Sequence, residues 1–264
     1  MGLLLLVGLD RTEVDALRQR LGRPILAFDA LPRIRVDRGS LLVEHTNLLD
    51  HFVPVERVVY HAIFEEDHAF LAALALWKGP CLPNARGMMD LRLRLPGLVR
   101  SLAVTRFGGI ARGFADRDTR IETKVNSVAK WGNWHCGEDK ARFDESWVAE
   151  VPTLIEEFIE GEAVRIVLIG ENAWQVRMAG LGWLKSIHAQ GAGLMPIDPE
   201  LLDDTRHIAA HFGLETIGVD YIAAPGGSRY LLEVNHVPNV TVFPEFREAY
   251  LDLVVGWAAE PSPH

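Results

Sequence analysis

The chain has 264 residues, 48% of them hydrophobic and 24% charged, enough to bury a substantial core in one compact unit or in two to three small lobes. Its formal charge of -9 and pI near 5.6 argue against a protein built to grip polyphosphate backbones, while leaving room for a local basic pocket. Cys81 and Cys136, far apart and in no CxxC pattern, indicate neither a disulfide framework nor a thiolate zinc site.

The opening apolar run, 3–7, has no basic leader, is too short to span a bilayer and ends in Gly8-Leu9-Asp10, so it reads as a buried first strand. No other stretch reaches the length of a membrane helix, and the cytoplasm is the expected compartment. Further strands at 24–28 and 57–60 alternate with helical patterns at 12–21 and 65–77. That alternation predicts a small open α/β lobe over 1–85 with mostly parallel strands. Its first turn offers Asp10 or Thr12 as a helix cap but is not GxGxxG, so no dinucleotide site is expected there.

Pro83, Gly87, Pro96, Gly97, Gly108 and Gly109 crowd one short helix, 88–95, and mark a connector over 86–118. Arg86, Arg92, Arg94, Arg100, Arg106 and Arg112 cluster in or near it and are candidates to line a cleft. Beyond it the character turns β-rich: strands at 121–125, 153–159, 163–169, 173–178 and 182–185, with a short charged helix at 138–143. Tight turns such as Gly170-Glu171-Asn172 favour antiparallel pairing. A helix at 199–212, strands at 216–223 and 229–234 split by Pro225-Gly226-Gly227-Ser228, and a helix at 244–257 complete the chain. The resulting division is a central lobe at 119–160 and a C-terminal lobe at 161–264.

The most informative segment is the last pair of strands, which carries Asp220 on one strand and Glu233 and Asn235 on the other. Side chains alternate along a strand, so Glu233 and Asn235 share a face and Val234 takes the opposite one. Carboxylates set into apolar strands need a neutralising partner, and a hard cation with phosphate oxygens supplies one. At these residues the chain resembles the ATP-grasp superfamily, in the branch that holds glutamate-adding ligases and D-alanine:D-alanine ligase.

The resemblance implies an α/β fold of ATP-grasp architecture: a small open α/β lobe, then two lobes with antiparallel sheets enclosing a nucleotide cleft. It further implies Asp220, Glu233 and Asn235 as ligands of Mg (or Mn), and ATP as the nucleotide. Glu156, Glu157, Phe158 and Ile159 are similar to the interlobe strand that meets the adenine edge, and Glu160 or Glu162 is implied for the ribose. Lys124 takes the place of the lysine before the phosphate-covering loop, although 126–135 carries a single glycine, Gly132, and the aromatic residues Trp131 and Trp134. Arg165, Arg177 and Lys185 match basic residues near the transferred phosphoryl group. Met89-Asp90-Leu91-Arg92 stands where the family has Asp-Lys, with Arg92 or Arg94 able to replace the charge but not the geometry.

The implied reaction activates a carboxylate as an acylphosphate and couples it to an amine, with amino-acid or peptide-like substrates. The expected partners are small-molecule carboxylates and amines, with a homodimer allowed and neither nucleic acid nor membrane involved. A kinase-like transfer and a non-catalytic nucleotide-binding domain are the alternatives.

Overall fold

The computed structural model describes residues 2–132 and 139–261. Its first sheet is built on β1 (Leu3–Val7), an unbroken apolar run because both its faces and both its edges are covered. After α1 (Arg11–Arg20), β2 (Ile25–Phe28) pairs parallel with one edge of β1. A hairpin follows, β3 (Ile34–Asp37) and β4 (Ser40–Glu44), turned by Arg38 and Gly39, both at positive φ. Next comes β5 (Phe52–Tyr60), parallel to β1 on one side and antiparallel to β4 on the other. α2 (His68–Trp77) leads to β6 (Cys81–Leu82), which joins β5 in parallel. The sheet is therefore mixed, with the expected parallel strands at its centre and an antiparallel hairpin at one edge.

The connector contains two helices, α3 (Ala85–Leu91) and α4 (Arg94–Leu102), where the sequence predicts one over 88–95. Leu93 is extended and starts the second helix, whose first turn holds Pro96, a position that needs no backbone N–H. The Asn84 side chain caps α3 by accepting from the N–H groups of Arg86 and Gly87.

Six strands follow: β7 (Arg112–Ala115), β8 (Thr119–Glu122), β9 (Ser127–Trp131), β10 (Lys140–Phe143), β11 (Ser146–Ala149) and β12 (Thr153–Glu157). Four of them form an antiparallel sheet in the order β10-β9-β12-β7, and β8 pairs with β11. Because β7 lies in this sheet, the central lobe begins inside the stretch read as connector. The helix expected over 138–143 is instead strand β10, with Glu138 outside the described residues. Lys140 to Phe143 form the return arm of a hairpin, in register with Ser127 to Lys130. That pairing outweighs a charge pattern that suits a helix.

The last lobe is a five-stranded antiparallel sheet in the order β15-β14-β13-β16-β17. Its members are β13 (Glu162–Ile169), β14 (Asn172–Arg177), β15 (Gly193–Met195), β16 (Thr216–Ala223) and β17 (Arg229–Asn235), with α5 (Pro199–Phe212) and α6 (Pro244–Ala259). No strand forms over 182–185; Ser186 alone bridges to Ala179. Alternation along β13 divides the core in two: Val164, Ile166 and Leu168 share a cluster with Leu201 and Ile208 of α5, while Val167 and Ile169 share another with Phe246 and Tyr250 of α6.

Two buried basic residues tie α6 back to the first lobe. Arg57 donates to the carbonyls of Trp257 and Glu260 at 3.1 and 2.6 Å, and Arg23 to that of Ala258 at 2.9 Å, giving carbonyls at the helix end charged donors from the first lobe. Among the described residues, no helix is long and apolar enough to cross a membrane.

Candidate active site

Two cavities meet at the charged end of the last sheet. The larger, about 670 Å³, lies between the central and last sheets and is lined by Lys130 and Lys140, by 156–161 and by the loop 178–186. The smaller, about 410 Å³, lies between the last sheet and the first lobe, and its walls include Asp10, Glu13, His61, Arg165 and Asn235. Lys140, Met178, Lys185, Ser186, Asp220 and Glu233 line both.

Register sets the charged side chains. Arg165 on β13 stands opposite Asp220 on β16, and Asp220 opposite Glu233 on β17, so the three form one cross-strand row. Asn235, two residues beyond Glu233, shares its face and lines the smaller cavity. The structure thus brings the three expected metal ligands together. Their donor set, two carboxylates and an amide oxygen, suits a hard cation that also takes phosphate oxygens. Among the described residues, no group of three or more His, Cys, Asp or Glu side chains is placed to hold a metal ion. Asn235 is buried with its Nδ2 lacking a hydrogen-bond partner, a polar group that the fold alone does not use.

Arg165 donates to both oxygens of Asp220, Nε at 2.5 Å and Nη2 at 2.8 Å. Burial opposes the guanidinium charge, but the Asp220 carboxylate outweighs it and raises the Arg165 pKa. Lys140, whose Nζ is 3.9 Å from Glu233, is pushed the other way: burial lowers its pKa, with Lys130 and Arg94 adding like charge and Glu233 pulling back.

The end of β12 and the turn after it supply the far wall of the larger cavity. Glu156, Glu157, Phe158, Ile159 and Glu160 all line it. Glu156 is engaged from two sides, by the Lys130 ammonium and by Arg112 Nε at 3.2 Å. The Phe158 ring lies under the Arg142 guanidinium at 3.8 Å and edge-on to Trp183 at 6.3 Å. Gly161 is dictated by packing, since a Cβ there would fall 2.5 Å from the Ala223 carbonyl oxygen.

Other expected residues are placed differently. Lys124 is exposed between β8 and β9 and lines neither cavity, whereas Lys130, six residues on and buried in β9, lines the larger one. Arg177 pairs in register with Val164, so it lies on the opposite face of the sheet from Arg165, where it donates to Glu162 at 2.5 Å with both side chains exposed. Neither Arg177 nor Glu162 lines either of these two cavities. Lys185 does line both, with its ammonium donating to the Gly180 carbonyl at 3.0 Å.

Arg92 is buried in an ion pair with Asp67, which also accepts from Tyr60 and the Phe64 N–H, so it serves the packing of the connector on the first lobe. Arg94 donates to the Trp131 carbonyl. Trp134 and His135, like Cys136, lie outside the described residues. Lys130 lies on β9, the neighbour of the interlobe strand β12, and Lys140 on β10, one strand further out; sequence reasoning missed both as cavity residues because the signal is in the strand pairing.

The lobes, the antiparallel sheets and the cleft between them define the fold of the ATP-grasp ligases, in line with the resemblance carried by Asp220, Glu233 and Asn235. The macrocyclase MdnC of Microcystis aeruginosa, solved with precursor peptide MdnA, is 13% identical at a TM-score of 0.65, over 96% of this chain and 99% of that one. An ATP-grasp ligase from Chryseobacterium gregarium, solved with ADP and a leader and core peptide, is 12% identical at 0.65, over 99% and 98%. D-alanyl-alanine synthetase A of Vibrio cholerae is 12% identical at 0.64, over 97% of both chains. No family model and no curated protein matches the sequence.

Proposed function

We propose that the chain is an ATP-dependent carboxylate–amine ligase that uses Mg or Mn, forms an acylphosphate and couples it to the amine of an amino-acid or peptide-like substrate. The observation that carries this reading is the junction of the two cavities at Asp220, Glu233 and Lys140, with Asn235 on the same face. ATP occupies the larger cavity and the carboxylate and amine the smaller. The Phe158 N–H is already spent on the Asn126 carbonyl at 2.8 Å, so the Ile159 N–H is the group assigned to the base edge. Glu160, exposed at the cavity rim, is assigned to the ribose.

Asp220, Glu233 and Asn235 hold the divalent cation, which when bound offsets charge on the phosphate oxygens. Lys130 and Lys140 bind phosphate oxygens from the β9–β10 hairpin, and Arg165 and Lys185 serve the transferred group where the cavities meet. Phosphoryl transfer and amide formation at such a junction need positioning and exclusion of water more than a protein nucleophile. Two of the similar structures were solved with peptides, which supports a peptide-like substrate.

The test is ADP release with magnesium and panels of amino acids and short peptides, using hydroxylamine to intercept the activated carboxylate. Carboxylate-dependent ADP release that yields a hydroxamate supports the ligase. A stable phosphorylated product without hydroxamate would instead assign a kinase, and nucleotide binding without turnover a non-catalytic domain.

A further inference from the structure

The cross-strand row of Arg165, Asp220 and Glu233 runs positive, negative, negative across one face of the sheet. Both oxygens of Asp220 are taken by Arg165, and the Glu233 end of the row is faced by Lys140 at 3.9 Å. Each carboxylate assigned above to the metal therefore already has a cation of the protein beside it. A fork-shaped guanidinium on a carboxylate occupies one lone-pair position on each oxygen, and those are positions a bidentate cation would need. Two positive charges sharing one partly buried carboxylate also repel each other with little solvent screening.

We propose that Arg165 is the resident counter-cation of Asp220 and that divalent metal loads by exchange, taking the Asp220 oxygens and turning the guanidinium into the smaller cavity. Arg165 already lines that cavity. Room beside its stem comes from Gly218, two residues before Asp220 on the same face. A Cβ at Gly218 would lie 3.5 Å from Arg165 Cδ and 3.3 Å from Pro238 Cβ, so a larger side chain there would fill the space in which the arginine moves. The pair thus does two things. Without metal it neutralises a carboxylate that is costly to bury alone, and with metal it delivers a positive group to the side of the site where the acyl and amine groups meet.

This inference rests on the reading of Asp220 as a metal ligand, and the experiment separates the two. Mn²⁺ binding to the full-length chain is followed by the electron paramagnetic resonance signal of the free ion, with no nucleotide present. Arg165→Met is expected to bind Mn²⁺ roughly tenfold more tightly or better than the wild type, because a competing cation is gone, and Arg165→Lys to fall between them. Unchanged or weaker binding by folded Arg165→Met would overturn the proposal, since the arginine would then support the metal rather than compete with it. Asp220→Asn is expected to lose Mn²⁺ binding, and wild-type binding by that variant would remove the metal-ligand reading itself and the proposal with it. Should Arg165→Met fail to fold, the wild type still decides: the arginine Nε–H resonance that is absent from the Arg165→Lys spectrum should shift on saturation with Mg²⁺. A resonance unmoved by saturating Mg²⁺ would contradict exchange.

Discussion

Lys130→Met is expected to weaken nucleotide binding sharply, while Lys124→Met leaves it unchanged. Lys130 is 8% exposed, sits on β9 and reaches the larger cavity with its ammonium against Glu156, whereas Lys124 is exposed in the turn before that strand. A hydrogen bond between an ammonium and a phosphate oxygen in such a setting contributes about 1.5–3 kcal/mol, equivalent to a loss of roughly 10- to 150-fold in affinity. The variant should still fold, because Glu156 keeps Arg112 Nε at 3.2 Å and is not left as an unpaired buried charge. Calorimetric titration with a non-hydrolysable ATP analogue and magnesium gives the affinities, and urea midpoints confirm that both variants are folded. Full-strength binding by Lys130→Met together with a tenfold loss in Lys124→Met would refute the assignment of the phosphate lysine to β9.

Asp67→Ala should cost about 3–5 kcal/mol in urea unfolding, since it removes the carboxylate that pairs with the buried Arg92 and accepts from the Tyr60 hydroxyl and the Phe64 N–H; a loss below about 1 kcal/mol would mean that this pair is not what holds the connector. Glu162→Ala and Arg177→Ala, breaking an exposed pair, should each change stability by about 1 kcal/mol or less and leave nucleotide affinity intact, and a large fall in affinity would restore Arg177 to the site. Burial holds the His61 imidazole neutral, with its pKa pushed down to about 4. Between that value and the ordinary 6.5 the unfolded chain binds a proton that the folded chain refuses, so stability should rise with pH across this window by up to about 3 kcal/mol. His61→Gln should flatten that rise in urea midpoints at pH 4.5 and 7, and an unaltered pH dependence would show that other groups carry it.

What the sequence reveals about this site depends on how local the geometry is. Asp220, Glu233 and Asn235 are legible because one hairpin holds all three, and period-two alternation fixes which of them share a face. The segment 156–160 is legible as the end of a strand and the short turn after it. Arg177 and Glu162 are not, because their orientation depends on how β13 and β14 align, and the pairing of Val164 with Arg177 puts both residues on the face opposite Arg165. Lys124 and Lys130 both follow short stretches of similar strand character. Only the pairing of β9 with β12 and β10 shows which lysine is built into the wall of the cavity.

The fold follows the same rule. The parallel strands of the first lobe are visible as apolar runs, but the hairpin at 34–44 is solvated on one side and turned by Arg38-Gly39, which gives a weaker signal. The strand at 140–143 is written in charged residues and depends on its partner strand, so the local pattern points to a helix instead. Helix α5 is correctly bounded from sequence because its signals are local: Asp198 caps its start, accepting from the Glu200 N–H, with Pro199 at the first turn and Gly213 in the left-handed region at its end.

The proposed role of Asp220, Glu233 and Asn235 is to hold a divalent cation against the phosphates of ATP at the junction of the two cavities. Its most direct test is titration calorimetry of the wild type and Glu233→Gln with a non-hydrolysable ATP analogue, each with and without magnesium. The wild type should bind the analogue at least about tenfold more tightly with magnesium, and Glu233→Gln should lose that gain while remaining folded. Binding by the wild type that is indifferent to magnesium, or an undiminished magnesium effect in Glu233→Gln, would contradict it.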